Sequence, residues 1–322
     1  MKKLMAIIAV IIMISTAAYF TSCKGKSSET KTSSNEDSMK KVLDRGQYLV
    51  EHVAGCIDCH SKRDFTKYSG PVMPGSEYGG GLVFDQHFGL PGSITSRNIT
   101  PDNETGIGTW TDADILKAIT QGISKNGDTL FPIMPYVSYN HMAKSDLLSI
   151  IAYIRTVKPI KNKIPQRQLM VPIAMMYPAK ALQPSVDNNM MPSEADKVAY
   201  GGYLIGVADC VTCHSPLTQH GPDVMGRPFA GGYTFELPTN KVQSANISPD
   251  SATGIGTWTE ERFMNKFLPY REEKGYNYDP GHQNTIMPLS ILAGMTDSDL
   301  KAIYAYLRTV KPMTNMVEKF PK

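Results

Sequence analysis

The sequence predicts a mostly α-helical protein built from two tandem copies of one domain, and three observations carry that prediction. The chain has 322 residues, 41% apolar and 20% charged. That is the composition of a folded globular protein, not of a disordered, collagen-like or multi-span membrane chain, and at about 150 residues per domain the length allows two. The chain also repeats itself. NITPDNETGIGTW at 98–110 returns as NISPDSATGIGTW at 246–258 with ten of thirteen positions identical, and AYIRTVKP at 152–159 returns as AYLRTVKP at 305–312. Two copies, each long enough for its own core, make a duplicated domain and not a solenoid. Finally, apolar residues fall at helical spacing ahead of each AY-x-RTVKP. Leu147, Ile150, Ile151 and Ile154 sit at i, i+3, i+4, i+7, as do Leu300, Ile303, Tyr304 and Leu307, and each pattern stops at a Lys-Pro.

The elements follow in order. Met1-Lys2-Lys3 is a short basic start, and Leu4 to Phe20 is an apolar run of 17 residues broken only by Ser15 and Thr16. This reads as an export signal. An uncleaved membrane anchor is the alternative, although the run is at the short end for a spanning helix. Cys23 follows directly after Phe20-Thr21-Ser22, a relaxed form of the bacterial lipoprotein signal. Residues 1–22 are therefore expected to be a lipoprotein-type signal peptide and Cys23 the lipidated residue. The mature chain would then be exported, periplasm-facing and lipid-anchored to a membrane. Lys24 to Ser38 holds no apolar residue and cannot offset the entropy of ordering, so 23–39 is expected to be a flexible tether.

The first domain is placed at 40–160 and the second at 194–322. Gly46-Gln47-Tyr48-Leu49 matches Gly201-Gly202-Tyr203-Leu204 in the first helix of each copy. The middle of each copy is rich in Gly and Pro and reads as loop. Thr296 and Asp299 stand at capping-box spacing before the last helix, where the first copy has Ala143. Between the domains, 161–193 carries Pro165, Pro172, Pro178, Pro184 and Pro192, which excludes a long helix. It is a linker, and its Met170, Met175 and Met176 are expected to pack against the domains. With 33 basic against 30 acidic residues, the chain lacks the charge excess of a nucleic-acid binder.

Five cysteines cannot all pair within one chain. Four of them form CIDCH at 56–60 and CVTCH at 210–214. Two cysteines one helical turn apart suit addition to the two vinyl groups of one haem edge, while the adjacent histidine reaches the iron from the same side. A zinc site would want further ligands, a thioredoxin-like pair needs no histidine, and a disulfide over so short a loop adds little. The repeated motif therefore points to two covalently bound haem c groups, held by Cys56, Cys59, Cys210 and Cys213, with His60 and His214 as axial iron ligands.

For the second axial ligand, a residue should recur at the matched place in both copies. Three methionine pairs pass approximately: Met73 with Met225, Met134 with Met287, and Met142 with Met295. The first pair follows its histidine too closely to pass round to the other haem face, and the third sits where a staple would. Met134 and Met287 lie 78 and 77 residues after the first cysteine of their motifs, in Ile-Met-Pro loops, and are the preferred ligands. His87, His141, His220 and His282 have no counterparts. A His/Met set fills both axial positions and favours an electron carrier over an enzyme. The repeated N-I-T/S-P-D block is either a fold-specific loop or a haem-propionate site, with Asn98, Trp110, Asn246 and Trp258 as the propionate donors.

CxxCH, NITPD-x-x-TGIG-x-W, a Met-Pro-Tyr loop and a terminal D-x-x-x-I-x-AYLR helix together resemble the multihaem cytochrome c subunits of bacterial membrane-bound alcohol and gluconate-type dehydrogenases. The resemblance covers nearly all of the chain beyond residue 40. It implies the class I cytochrome c fold in each of two tandem domains and electron relay on the periplasmic side. Those subunits typically carry three CxxCH motifs, and this chain has two. The expected function is that of a membrane-tethered dihaem cytochrome. It would relay electrons from a dehydrogenase or quinol-oxidising donor to an oxidase or reductase, with no nucleic-acid partner. The alternative is a dihaem redox enzyme, of peroxidase or thiol-oxidising type, with one open haem.

Overall fold

The computed structural model describes residues 29–175, 185–219 and 221–322. The expected signal peptide, Cys23, Met176 and His220 lie outside the described residues. The chain divides into two compact units, Met1–Val42 and Leu43–Lys322. The described part of the first is the opening of helix α1 (Glu29–Tyr48). It is already helical at Glu29, inside the stretch 23–39 expected to be a flexible tether. Lys26 to Arg45 contains neither glycine nor proline, so no residue type that breaks a helix stands there.

In the second unit one series of helical elements occurs twice. The end of α1, a π-helical turn (Leu49–Val53), α2 (Cys56–Cys59), α3 (Asp112–Gln121), α4 (Tyr136–Tyr139) and α5 (Lys144–Ile154) make the first half. The second half has α6 (Lys197–Val207), α7 (Cys210–Cys213), α8 (Glu260–Met264), α9 (Leu289–Leu292) and α10 (Asp297–Leu307). The Gly- and Pro-rich middles are loops carrying short antiparallel pairs, β1 (Val83–Phe84) with β2 (Gly92–Thr95) and β4 (Thr234–Glu236) with β5 (Lys241–Gln243).

Each half is organised on one helix crossing. Gly46 of α1 lies against α5 so closely that an added Cβ would stand 2.0 Å from the Ser149 carbonyl oxygen, and at Gly201 of α6 it would stand 1.9 Å from that of Ala302 in α10. Glycine inside a helix costs roughly 0.5–1 kcal/mol relative to alanine; here it buys the backbone approach on which the core closes. The predicted stripes pack at these crossings: Leu147, Ile150, Ile151 and Ile154 are buried, as are Leu300, Ile303 and Leu307. One apolar core runs from Leu49 and Val50 of the first half to Leu204 and Leu300 of the second.

The contact between halves is reciprocal. Tyr48 Oη donates to Asp299 Oδ2 at 2.6 Å and accepts from Thr296 N at 3.1 Å. Tyr203, its counterpart, donates to Asp146 Oδ2 at 2.7 Å and accepts from Ala143 N at 3.2 Å. Asp146 additionally receives a bidentate Arg45 at 2.9 and 2.7 Å, where the second half has Tyr200.

The linker is fastened mainly by its backbone and polar groups. β3 (Gln168–Leu169) pairs with β2, and Asn189 Nδ2 donates to the carbonyls of Asn140 and Met142. Contrary to expectation, Met170 and Met175 are 77% and 74% exposed. Once β3 joins the edge of β2, the main chain holds the segment and no apolar anchor is required at those positions. Among the described residues no helix is long and apolar enough to cross a membrane.

Candidate haem centres

Both CxxCH motifs form a single helical turn, entered through a left-handed residue. Gly55 has φ 61° and Asp209 has φ 49°, which turns the chain sharply out of the preceding helix. Within each turn His60 N donates to Cys56 O at 2.9 Å and His214 N to Cys210 O at 3.0 Å. All four cysteines are free thiols. Among the described residues no three His, Cys, Asp or Glu side chains converge as a metal cage.

The two histidines are held alike. His60 Nδ1 bonds the Arg97 carbonyl at 2.7 Å and His214 Nδ1 bonds that of Ala245 at 2.8 Å. Burial lowers the proton affinity of both rings against a smaller opposing effect of these bonds. A neutral imidazole whose Nδ1–H is tied to a carbonyl offers Nε2 to a metal, with its orientation set by that second contact. Thiols one turn apart followed by a histidine so fixed fit a covalent haem.

Burial separates the three methionine pairs. Met73 and Met225 are 42% and 90% exposed, and Met142 and Met295 are sealed in the core at 1% and 2%. Met134 and Met287 are half-buried at the core edge. The loop of Met287 is gripped from the other half: Ser69 Oγ donates to Met287 O at 2.7 Å and accepts from Leu289 N at 2.8 Å, and Ser69 N donates to Asn284 Oδ1 at 2.9 Å.

Of the two readings open for the repeated block, the hydrogen bonds of Asn98 and Asn246 favour the fold-specific loop. Asn98 Nδ2 donates to Thr105 Oγ1 at 3.0 Å and Ile160 O at 2.7 Å, while its Oδ1 accepts from Thr100 N and Oγ1. Asn246 Nδ2 donates to Thr253 Oγ1 at 3.0 Å and Met313 O at 2.7 Å, and its Oδ1 accepts from Ser248 N and Oγ. Both amides thus spend their two donors and their acceptor oxygen within the protein. Both side chains instead clasp the N-I-T/S-P-D loop to the chain following the last helix. The two tryptophans differ from them: among the described residues neither indole N–H has a hydrogen-bond partner. The Trp258 ring also carries Arg262 at 4.8 Å and Lys266 at 5.2 Å, where the first half has Asp114 and Ala118.

Several contributors escape a reading of the sequence. Arg155 Nη2 donates to Trp110 O at 2.6 Å, and Tyr304 Oη to Trp258 O at 2.6 Å. The recurrence of the AY-x-R segment is the available signal for the arginine. Ser69, Ser138 and Asp209, which join the halves around the two sites, leave none, because each has a different residue type at its matched position.

Residues 198–311 match the cytochrome c family. That segment includes Cys210, Cys213, His214, Trp258 and Met287, and a cytochrome c domain binds haem c covalently. Over most of its length the chain is similar to cytochrome c subunits of dehydrogenases. It is 29% identical over 297 residues to the alcohol dehydrogenase (quinone) cytochrome c subunit of Gluconacetobacter polyoxogenes, covering 88% of this chain and 59% of that protein. To the gluconate 2-dehydrogenase cytochrome c subunit of Pantoea cypripedii it is 29% identical, with 84% and 59% covered. To a diheme cytochrome c-type protein of Cereibacter sphaeroides it is 28% identical, with 80% and 82% covered. The chain thus spans about three fifths of the length of the dehydrogenase subunits it matches.

Proposed function

We propose that this chain, which carries a cytochrome c domain at 198–311, is a dihaem electron-transfer cytochrome of two tandem class I domains. It takes electrons from a quinone-dependent dehydrogenase or quinol-oxidising partner and passes them to an oxidase or reductase. The observation that carries this reading is the twofold occurrence of one arrangement: a C-x-x-C turn, a histidine whose Nδ1 is fixed on a carbonyl, and a half-buried Met-Pro loop.

When bound, each haem supplies a one-electron iron couple. His60 and His214 present oriented Nε2 atoms, Met134 and Met287 supply soft thioethers that favour the reduced iron, and the surrounding core keeps water away. If His60 with Met134 and His214 with Met287 hold the two irons, small oxidants would find no open coordination place, which sets this reading apart from the peroxidase or thiol-oxidising alternative. Trp110 and Trp258 keep indole N–H groups for propionates. In the cell, Cys23 carries the lipid and the chain works on the periplasmic side. The relatives' names support a dehydrogenase partner, and the diheme relative of similar length supports the count of two.

Haem content and spectra test the reading. The purified holoprotein should carry two haems per chain, with a methionine-to-iron charge-transfer band accounting for both in the oxidised state. Met134→Ala and Met287→Ala should each remove half of that band. A high-spin haem reacting with peroxide in the unaltered protein would replace the carrier by an enzyme. Cys23→Ser should release the protein from the membrane fraction.

A further inference from the structure

The two halves meet at a second reciprocal place, where the residue before the first cysteine of one half faces the residue four after the Met of the other. On one side this is Gly55 against Ile291, where an added Cβ would lie 4.0 Å from the Ile291 methyl. On the other it is Asp209 against Ser138, and Ser138 Oγ donates to Asp209 Oδ1 at 2.8 Å. A carboxylate thus stands where the matched position has only a glycine.

Asp209 is costly in that place. Its backbone is left-handed at φ 49°, a conformation that Gly55 takes without strain and that an aspartate takes less readily than a glycine. It does not act as a helix cap, since its side chain takes no hydrogen bond from the backbone of α7. Its partners are two hydroxyls, Ser138 and Thr212, the latter at 2.9 Å. Among the described residues no cation pairs with it. Asp58, the acid of the other attachment turn, has Arg63 Nη1 at 2.8 Å. Burial raises Asp209 to about 6, against the lowering effect of the two hydroxyls, and Tyr139, Cys210 and Cys213 all sense its charge.

We propose that Asp209 is a potential-setting residue, whose uncompensated carboxylate beside the Cys210–Cys213 turn lowers the midpoint potential of the haem held there and makes the two haems inequivalent. A fixed negative charge next to a haem stabilises the ferric iron, and weakly screened surroundings let it act at a distance. Ser138, in α4 just after Met134, partly offsets that charge. The proposal rests on the dihaem reading above.

The test is a spectroelectrochemical titration of the full holoprotein at pH 8, where Asp209 is ionised, after haem content has been measured. Asp209→Asn should raise one midpoint so that the ferrous-to-ferric ratio at fixed potential grows about tenfold, or about 59 mV for one electron, with the other haem moving less. Asp209→Gly, which copies Gly55 and relieves the left-handed strain, should do the same if the asparagine variant folds poorly. Ser138→Ala should shift the same midpoint downward, whereas a general loosening of the structure would move all variants one way. Unaltered midpoints in the Asp209 variants, or a shift of Ser138→Ala in their direction, would overturn the proposal. A haem content of one per chain would instead overturn the dihaem reading, independently of the potentials.

Discussion

Set one over the other, the halves agree in their backbone and part company where they face each other. Gly46 and Gly201, the two histidine-to-carbonyl bonds and the Asn98 and Asn246 clasps are duplicated almost to the tenth of an ångström. At the contact between halves, Arg45 stands against Tyr200, Ser138 against Ile291 and Gly55 against Asp209. The duplicated residues each hold main chain in place. Among the diverged ones, Ser138 and Asp209 meet side chain to side chain across the halves, Gly55 offers Ile291 no side chain, and Arg45 binds Asp146 of its own half.

Substitutions can break this comparison. The largest effect is expected at the crossings. Gly201→Ala puts a Cβ into a backbone carbonyl and should cost at least about 3 kcal/mol in urea unfolding, as should Gly46→Ala. Gly206→Ala on the same helix, with nothing within 4 Å, should be neutral or slightly stabilising.

Next comes the pH dependence of stability at Asp209. An aspartate ionises near 3.9 in an unfolded chain and at about 6 here. Between those values the folded state holds more protons, so this group's contribution to stability falls as pH rises through that window. Asp209→Asn should therefore gain roughly 2 kcal/mol on the parent protein between pH 4 and pH 8, read from denaturant midpoints across pH. An unchanged difference would refute it.

The reciprocal tyrosines should respond unequally. Tyr48→Phe leaves Asp299 without its donor and should cost about 2 kcal/mol. Tyr203→Phe leaves Asp146 still held by Arg45 and should cost about 1 kcal/mol. Equal losses, or additivity with Arg45→Met, would remove Arg45 as the source of the difference. Smallest, Thr296→Ala removes the acceptor for Asp299 N at 3.2 Å and should cost about 1 kcal/mol, bringing α10 to the uncapped condition of α5.

Much of this architecture is legible in the sequence. The helices around Leu147 and Leu300 follow from spacing, and the attachment turns from CIDCH and CVTCH. The choice of Met134 and Met287 follows from requiring a match in both copies. Asn98 leaves two readings open because a polar residue in a repeated block can serve ligand or loop equally, and only the carbonyls of Ile160 and Met313 favour the loop. Tyr48 and Asp299 are 251 residues apart, and no local pattern announces such a pair. The methionines of the linker mislead because β3's pairing with β2 is a backbone event that side-chain hydrophobicity does not report.

The crossed tyrosine–aspartate contacts have one more consequence. Each half carries both the donor and the acceptor, so its contact face is self-complementary, the defining property of a two-fold homodimer interface. Two copies of such a half on one chain hold the two matching faces together without a concentration-dependent association step. A single chain can also carry Arg45 and Asp209 on one side alone, whereas in a homodimer every residue occurs on both sides.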